Sequence, residues 1–190
     1  MAAYYGITGT PGTGKKTLAP LVASRLRIPC RSLNDLARSY HLSRRGGSEA
    51  EVDAPELGRR ALAALEPPCL LYGHLLPYAF RRGAFSKVVV LRCDPRVLRA
   101  RLVGRGYGTV KVRQNVEAEL IGLVSSDSVA AFGRDRVAEV DTSKATVSAS
   151  AAAVASRLTS PGGPPAADWV RSYGSAARLR SLLGPKTFSA

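Results

Sequence analysis

The stretch Gly9-Thr10-Pro11-Gly12-Thr13-Gly14-Lys15-Lys16-Thr17 constrains this chain more than any other. It follows the apolar run Tyr4-Tyr5-Gly6-Ile7-Thr8 and leads into Leu18-Ala19-Pro20-Leu21-Val22-Ala23-Ser24-Arg25-Leu26. The order is strand, glycine loop, helix, the context in which the pattern G-x-x-x-x-G-K at Gly9, Gly14 and Lys15 cradles phosphate. Glycines let successive N–H groups turn inward, the helix adds the positive end of its dipole, and Lys15 adds a point charge. One letter departs from the pattern. The position after Lys15 calls for a Ser or Thr whose hydroxyl holds Mg²⁺, and here it is Lys16. A glycine-rich turn without a ligand is the plain alternative reading of the same letters.

The rest of the chain repeats the alternation of strand and helix. Leu18, Leu21, Val22 and Leu26 share one helical face over residues 15–27, with Pro20 early enough to cost little. A short strand is expected near Ile28 to Leu33, then a helix from Asp35 capped by Asn34. Residues 43–52 read as a mobile loop, and a helix from about Pro55 to Leu65 stops at Pro67-Pro68. Cys69-Leu70-Leu71-Tyr72 and Lys87 to Arg92 are apolar runs of the kind buried on both sheet faces. Asp94-Pro95 opens a helix to Val103, and Gly104 to Gly108 connects it to a further helix over about Val110 to Val124. A last strand at Val137 to Val140 precedes a helix over 144–158. The expectation is an α/β fold of the P-loop NTPase class, a five-stranded parallel sheet flanked by helices. One domain over 1–158 and a basic linker and tail over 159–190 complete the organisation, the tail partly disordered or docked by Trp169.

Composition narrows the partners. There are 28 Lys plus Arg against 14 Asp plus Glu, a formal net charge of +14. Such a balance suits polyanions, nucleotide phosphates or RNA, or simply keeps the protein soluble. The few aromatics are not interleaved with the basic residues, so a base-stacking surface for single strands is not indicated. No apolar run of about 18 residues is present, which argues against a membrane span. Cys30, Cys69 and Cys93 lack metal-ligand spacing and read as free thiols of a reducing cytoplasm.

In chain order, Ile7 to Lys15, Asn34-Asp35-Leu36-Ala37-Arg38, Gly73-His74-Leu75 and Val90-Leu91-Arg92-Cys93-Asp94-Pro95 form a recognisable series. Arg101-Leu102 with Arg105-Gly106-Tyr107, Asn115 to Glu119 and Val140-Asp141-Thr142-Ser143 complete it. The series resembles the nucleoside monophosphate kinases. More narrowly, it is similar to the broad-specificity adenylate kinases of archaea and eukaryotic nuclei, a family that also serves late maturation of the small ribosomal subunit. The resemblance implies transfer of phosphate from ATP to AMP or a related monophosphate, with secondary ATPase activity. Its implied partners are a small-subunit platform ribosomal protein and pre-rRNA.

The same resemblance assigns residues. Gly12, Gly14, Lys15, Lys16 and Thr17 fall where the family binds ATP phosphates, and Lys144 falls near the adenine. Residues from about 32 to 55 match the flap over the acceptor monophosphate, with Asp35 and Arg38 as its contacts; a solvated surface role for Arg38 fits equally. Residues from about 104 to 114 match a short lid carrying Arg105. Lys15, Arg105 and His74 are the implied catalytic residues, although His74 also suits a structural hydrogen bond. Mg²⁺ is the family's metal, and two letters speak against an ordinary site for it. Lys16 replaces the hydroxyl ligand, and Tyr72 stands where the family has a carboxylate. Thr17 is then the candidate hydroxyl, and Asp94, the nearest acid, is better explained as an N-cap. Three arrangements accommodate Lys16: its ammonium replaces part of the metal charge, it points away while Thr17 takes over, or the chain binds nucleotide without turnover. The last describes a nucleotide-gated assembly factor rather than a kinase.

Overall fold

The computed structural model describes residues 4–46, 49–160 and 166–183. Five strands, β1 (Tyr4–Gly9), β2 (Cys30–Ser32), β5 (Cys69–Tyr72), β6 (Phe85–Arg92) and β7 (Val137–Asp141), form one sheet in the order β2-β5-β1-β6-β7. Every pairing in it is parallel. Parallel strands need helical crossovers: α1 (Lys15–Leu26), α3 (Ala54–Ala64) and α5 (Pro95–Val103) lie in the connections, and α8 (Val147–Thr159) follows the last strand.

Period-2 alternation sends side chains to both faces, so each strand feeds two cores. Ile7, Val89, Leu91 and Val140 pack against Leu18 and Val22 of α1 and Val154 and Leu158 of α8. Val88, Val90 and Phe85 meet Leu57, Leu76, Phe80 and Phe132 on the opposite face. Val88 to Leu91 are fully buried, as a central strand covered on both sides must be. Because β1 lies between β5 and β6, the chain leaves its carboxyl end into the gap where neighbouring connections diverge. That is where open α/β sheets hold ligands.

Several local expectations are corrected. The helix α2 (Leu33–Ser39) is capped by Ser32, whose Oγ accepts from Asp35 N at 3.3 Å, not by Asn34. Leu33 is fully buried, which draws the helix start two residues earlier. Within 43–52, β3 (Ser43–Gly46) and β4 (Glu49–Val52) pair antiparallel, a pairing hidden by the Gly/Ser composition; residues 47–48 lie outside the described residues. A short helix, α4 (Leu76–Ala79), follows β5. The expected helix over Val110 to Val124 is α6 (Thr109–Leu120), and a second helix, α7 (Leu123–Phe132), starts after Gly122. Gly122 has φ 66°, and the Arg92 guanidinium sits 3.5 Å from where its Cβ would be. The last sheet-covering helix starts at Val147 rather than 144, because Thr146 Oγ1 accepts from Ala149 N at 3.2 Å.

Beyond the sheet domain, α9 (Trp169–Tyr173) and α10 (Ala176–Leu183) are docked. Trp169, Tyr173 and Leu182 bury themselves with Leu120. Lys186 and most of the expected linker lie outside the described residues. No helix among the described residues is long and apolar enough to cross a membrane.

Candidate active site

The loop after β1 is held open by its glycines and tied down by its threonines. Gly9, Gly12 and Gly14 have φ of 136°, 97° and 105°. At Gly12 a Cβ would lie 2.6 Å from Leu98 Cδ1, so α5 packs too closely for any other residue. Thr13 N and Oγ1 donate to Thr10 O at 3.2 and 2.9 Å. Thr142 Oγ1 donates to Thr13 O at 2.9 Å, tying the loop to the end of β7. No side chain caps α1, which leaves the positive end of that helix aimed at the loop's cleft.

Lys15 folds back over the loop, its Nζ donating to Gly9 O at 2.5 Å and Thr10 O at 3.0 Å. Burial lowers its pKa to about 7, Glu119 pulls it upward, and the nearby Arg105 pushes it down again. An ammonium desolvated in this way gains most from an arriving phosphate.

Three cavities meet at the loop. The largest, about 560 Å³, runs from Gly12, Gly14, Lys15, Lys16 and Thr17 past His74 to Arg105 and Tyr107. Its far wall is Lys111, Gln114 and Asn115 of α6, with Tyr78 and Val124. A second, of about 240 Å³, lies between Gly12, Thr17, Arg101 and Arg105 and the segment Thr142 to Ser150. The third, about 170 Å³, is lined by Lys15, Lys16, Asp35, Arg38, Tyr72 and His74. Arg105 borders the first two, while Lys15, Lys16 and His74 border the first and third. Lys144 is exposed beside Ala145, which lines the second cavity, and Lys144 itself does not. Asp35 and Arg38 form an exposed ion pair with each other on α2.

The donor set does not fit a protein-held Mg²⁺. Mg²⁺ is ordinarily held by one or two carboxylates beside substrate phosphates. Among the described residues, the only acid lining the three cavities is Asp35, already paired with Arg38. Asp94 caps α5 through Arg96 N at 2.8 Å and accepts from Tyr173 Oη at 2.6 Å. Glu119 is fully engaged by protein donors. Thr17 contributes one hydroxyl at the first two cavities, and no cluster of three His, Cys, Asp or Glu occurs among the described residues. Tyr72 brings a phenol whose pKa burial raises, with the Ser32 hydroxyl partly opposing.

Sequence reasoning missed part of this wall. Tyr78 stands in the cleft with its Oη donating to Asp127 Oδ2 at 2.5 Å, and burial with that bond pushes its pKa up to about 12. Glu119 entered only as one letter of a motif. Its signal was its register: it shares the buried face of α6 with Val112, Val116 and Leu120, and a buried acid must have partners.

A phosphate loop at the carboxyl edge of a β2-β5-β1-β6-β7 parallel sheet, with cationic side chains converging over it, defines the class: a P-loop phosphotransferase. The domain family described as "AAA domain" matches residues 6–122. A protein of Natronomonas pharaonis named "Putative adenylate kinase" is 39% identical over 153 residues, covering 78% of this chain and 85% of that protein. One of the same name from Methanothermobacter thermautotrophicus is 39% identical over 141 residues, covering 72% and 78%. The chain belongs to this adenylate kinase-like family. Among solved structures, a gluconokinase from Sinorhizobium meliloti superposes with a TM-score of 0.52 at 18% identity, covering 83% of this chain and 93% of that one. The YorR protein of Bacillus subtilis, solved with phosphorylated GDP, gives 0.54 at 18% identity, covering 80% and 93%. At that identity the likeness shows the shared fold.

Proposed function

We propose that this protein moves the γ-phosphoryl group of ATP onto AMP or a related nucleoside monophosphate. The observation that carries the reading is that Lys15 and Lys16 border two cavities at once, the large cleft and the Asp35–Arg38 recess. A shared cationic wall is what joining a donor and an acceptor phosphate requires. ATP lies with its phosphates along Gly12 to Thr17 and its base toward the Thr142 to Ser150 cavity. The monophosphate enters past Asn34, Asp35 and Arg38. Its phosphate oxygen attacks the γ-phosphorus; the bond to the β,γ-bridging oxygen breaks, and the electron pair leaves on the β-phosphate of ADP. No proton has to be removed from an acceptor dianion. The protein's work is therefore positioning and charge, from Lys15, Lys16 and the lid residue Arg105. With the acceptor absent, water in its place gives slower ATP hydrolysis, at the wall where His74 stands. The test is ADP formation from ATP and AMP beside Lys15→Ala, expected to fall about 100-fold or more. Equal turnover of the two proteins overturns the reading.

A second reading is favoured by one observation, the absence of an available carboxylate around the loop among the described residues. In it the chain is a cytoplasmic, nucleotide-gated assembly factor, its +14 charge directed at pre-rRNA and a platform ribosomal protein. Restoring Lys16→Thr with Tyr72→Asp separates the two. The kinase reading expects the natural chain to turn over without added Mg²⁺ and the restored one to depend on it. Turnover only in the restored chain favours the assembly factor.

A further inference from the structure

Glu119 is a carboxylate with 2% exposure, and four donors meet it. Its Oε2 accepts from Thr10 Oγ1, inside the phosphate loop, at 2.7 Å. Its Oε1 accepts from Arg92 Nε at 2.9 Å, Cys93 N at 3.0 Å and Trp169 Nε1 at 3.1 Å. Trp169 comes from the docked tail, well past residue 122, where the domain-family match ends. The tail is anchored beside it: Ala166 N donates to Glu139 Oε2 at 2.8 Å, and Arg92 Nη1 donates to Ala167 O at 3.3 Å. A carboxylate so surrounded has one favourable orientation, because turning it strands a buried donor.

We propose that Glu119 and Trp169 are positioning residues for the phosphate loop, the indole N–H orienting the carboxylate and the carboxylate fixing Thr10. The chain of contacts continues from there. Thr10 O accepts both from Thr13 and from Lys15 Nζ, so the Thr10 peptide sets where the lysine rests. Phosphates that draw Lys15 off the Gly9 and Thr10 carbonyls leave Thr10 to be held by Thr13 and Glu119, so binding favours the state in which Trp169 keeps that carboxylate in place. Loop occupancy and tail docking are therefore linked, each favouring the other to the same extent. The inference rests on the reading of this loop as the ATP phosphate site.

Trp169 is the only tryptophan of the chain, so its emission reports on this contact directly. The full-length protein is titrated with ATP while indole emission is followed, and the heat of binding is measured in parallel. The expected result is an emission change whose midpoint matches the heat, lost in Thr10→Val and retained in Thr10→Ser. Heat without an emission change overturns the linkage and leaves nucleotide binding intact. Absence of heat removes the nucleotide site and this proposal with it. In turnover, Trp169→Phe keeps an apolar ring and loses the donor. It is expected to raise KM for ATP about five-fold or more, with KM for AMP unchanged. A lower kcat with both KM values unchanged reflects a smaller folded fraction, and an equal rise in both KM values reflects a cleft loosened as a whole; either result overturns the proposal.

Discussion

At the scale of single residues, Lys15 is the buried ammonium of the phosphate loop. Its ordinary pKa of 10.5 falls to about 7 because burial removes water from the ammonium. Between those two values the unfolded chain binds a proton there that the folded chain does not. This residue therefore makes stability rise with pH across that window, and its cost is constant below about pH 7. An arriving phosphate reverses the balance, since an opposite charge favours the protonated form. We expect ATP binding near pH 8 to take up close to one proton, seen as a dependence of the calorimetric heat on the buffer's ionisation enthalpy. Lys15→Met should abolish that dependence, and a wild type without it would contradict the depressed pKa. The pairing of Lys16 with Tyr72 is legible in sequence as two wrong letters. That they line one cavity together, with Asp35 committed to Arg38, is visible only once β5 and α2 are side by side.

Elements were legible where periodicity and punctuation agreed. The five sheet strands and the Asp94-Pro95 start of α5 follow from apolar runs and capping chemistry, which are local properties of the chain. The split between α6 and α7 was not, because nothing around Ile121-Gly122 interrupts the apolar periodicity. The reason for it is tertiary: Arg92 reaches Glu119 O at 3.1 Å and fills the space beside Gly122. A left-handed residue costs about 1–2 kcal/mol for any side chain. Gly122→Ala should therefore lower stability by about that amount in urea unfolding. It should also disturb the cleft, since Val124 lies two residues beyond the joint. An unchanged midpoint would mean that the joint relaxes to a right-handed conformation at no cost.

Over the whole molecule, a buried ionic network joins what the sequence separates. Arg92 at the end of β6 bonds Glu119 of α6 at 2.9 Å and Glu139 of β7 at 3.2 Å, and both acids hold the tail. Composition could not show this, because in a chain of net charge +14 an arginine reads as surface. The tail was expected as an appendage, yet its indole completes the coordination of a carboxylate that touches the phosphate loop. The protein thus braces its phosphate-loop edge with a residue of its tail. Removing one member of such a network leaves uncompensated buried charge, which is worse than having no network. Arg92→Leu, which strands Glu119 and Glu139, should destabilise the fold by about 3–5 kcal/mol. Adding Glu119→Leu and Glu139→Leu should recover much of that loss in stability. ATP affinity should stay low in the triple variant, because Thr10 has then lost its acceptor. Calorimetric unfolding and nucleotide titration of the same proteins separate the two effects. Recovery of stability together with affinity would show that the network serves the fold alone.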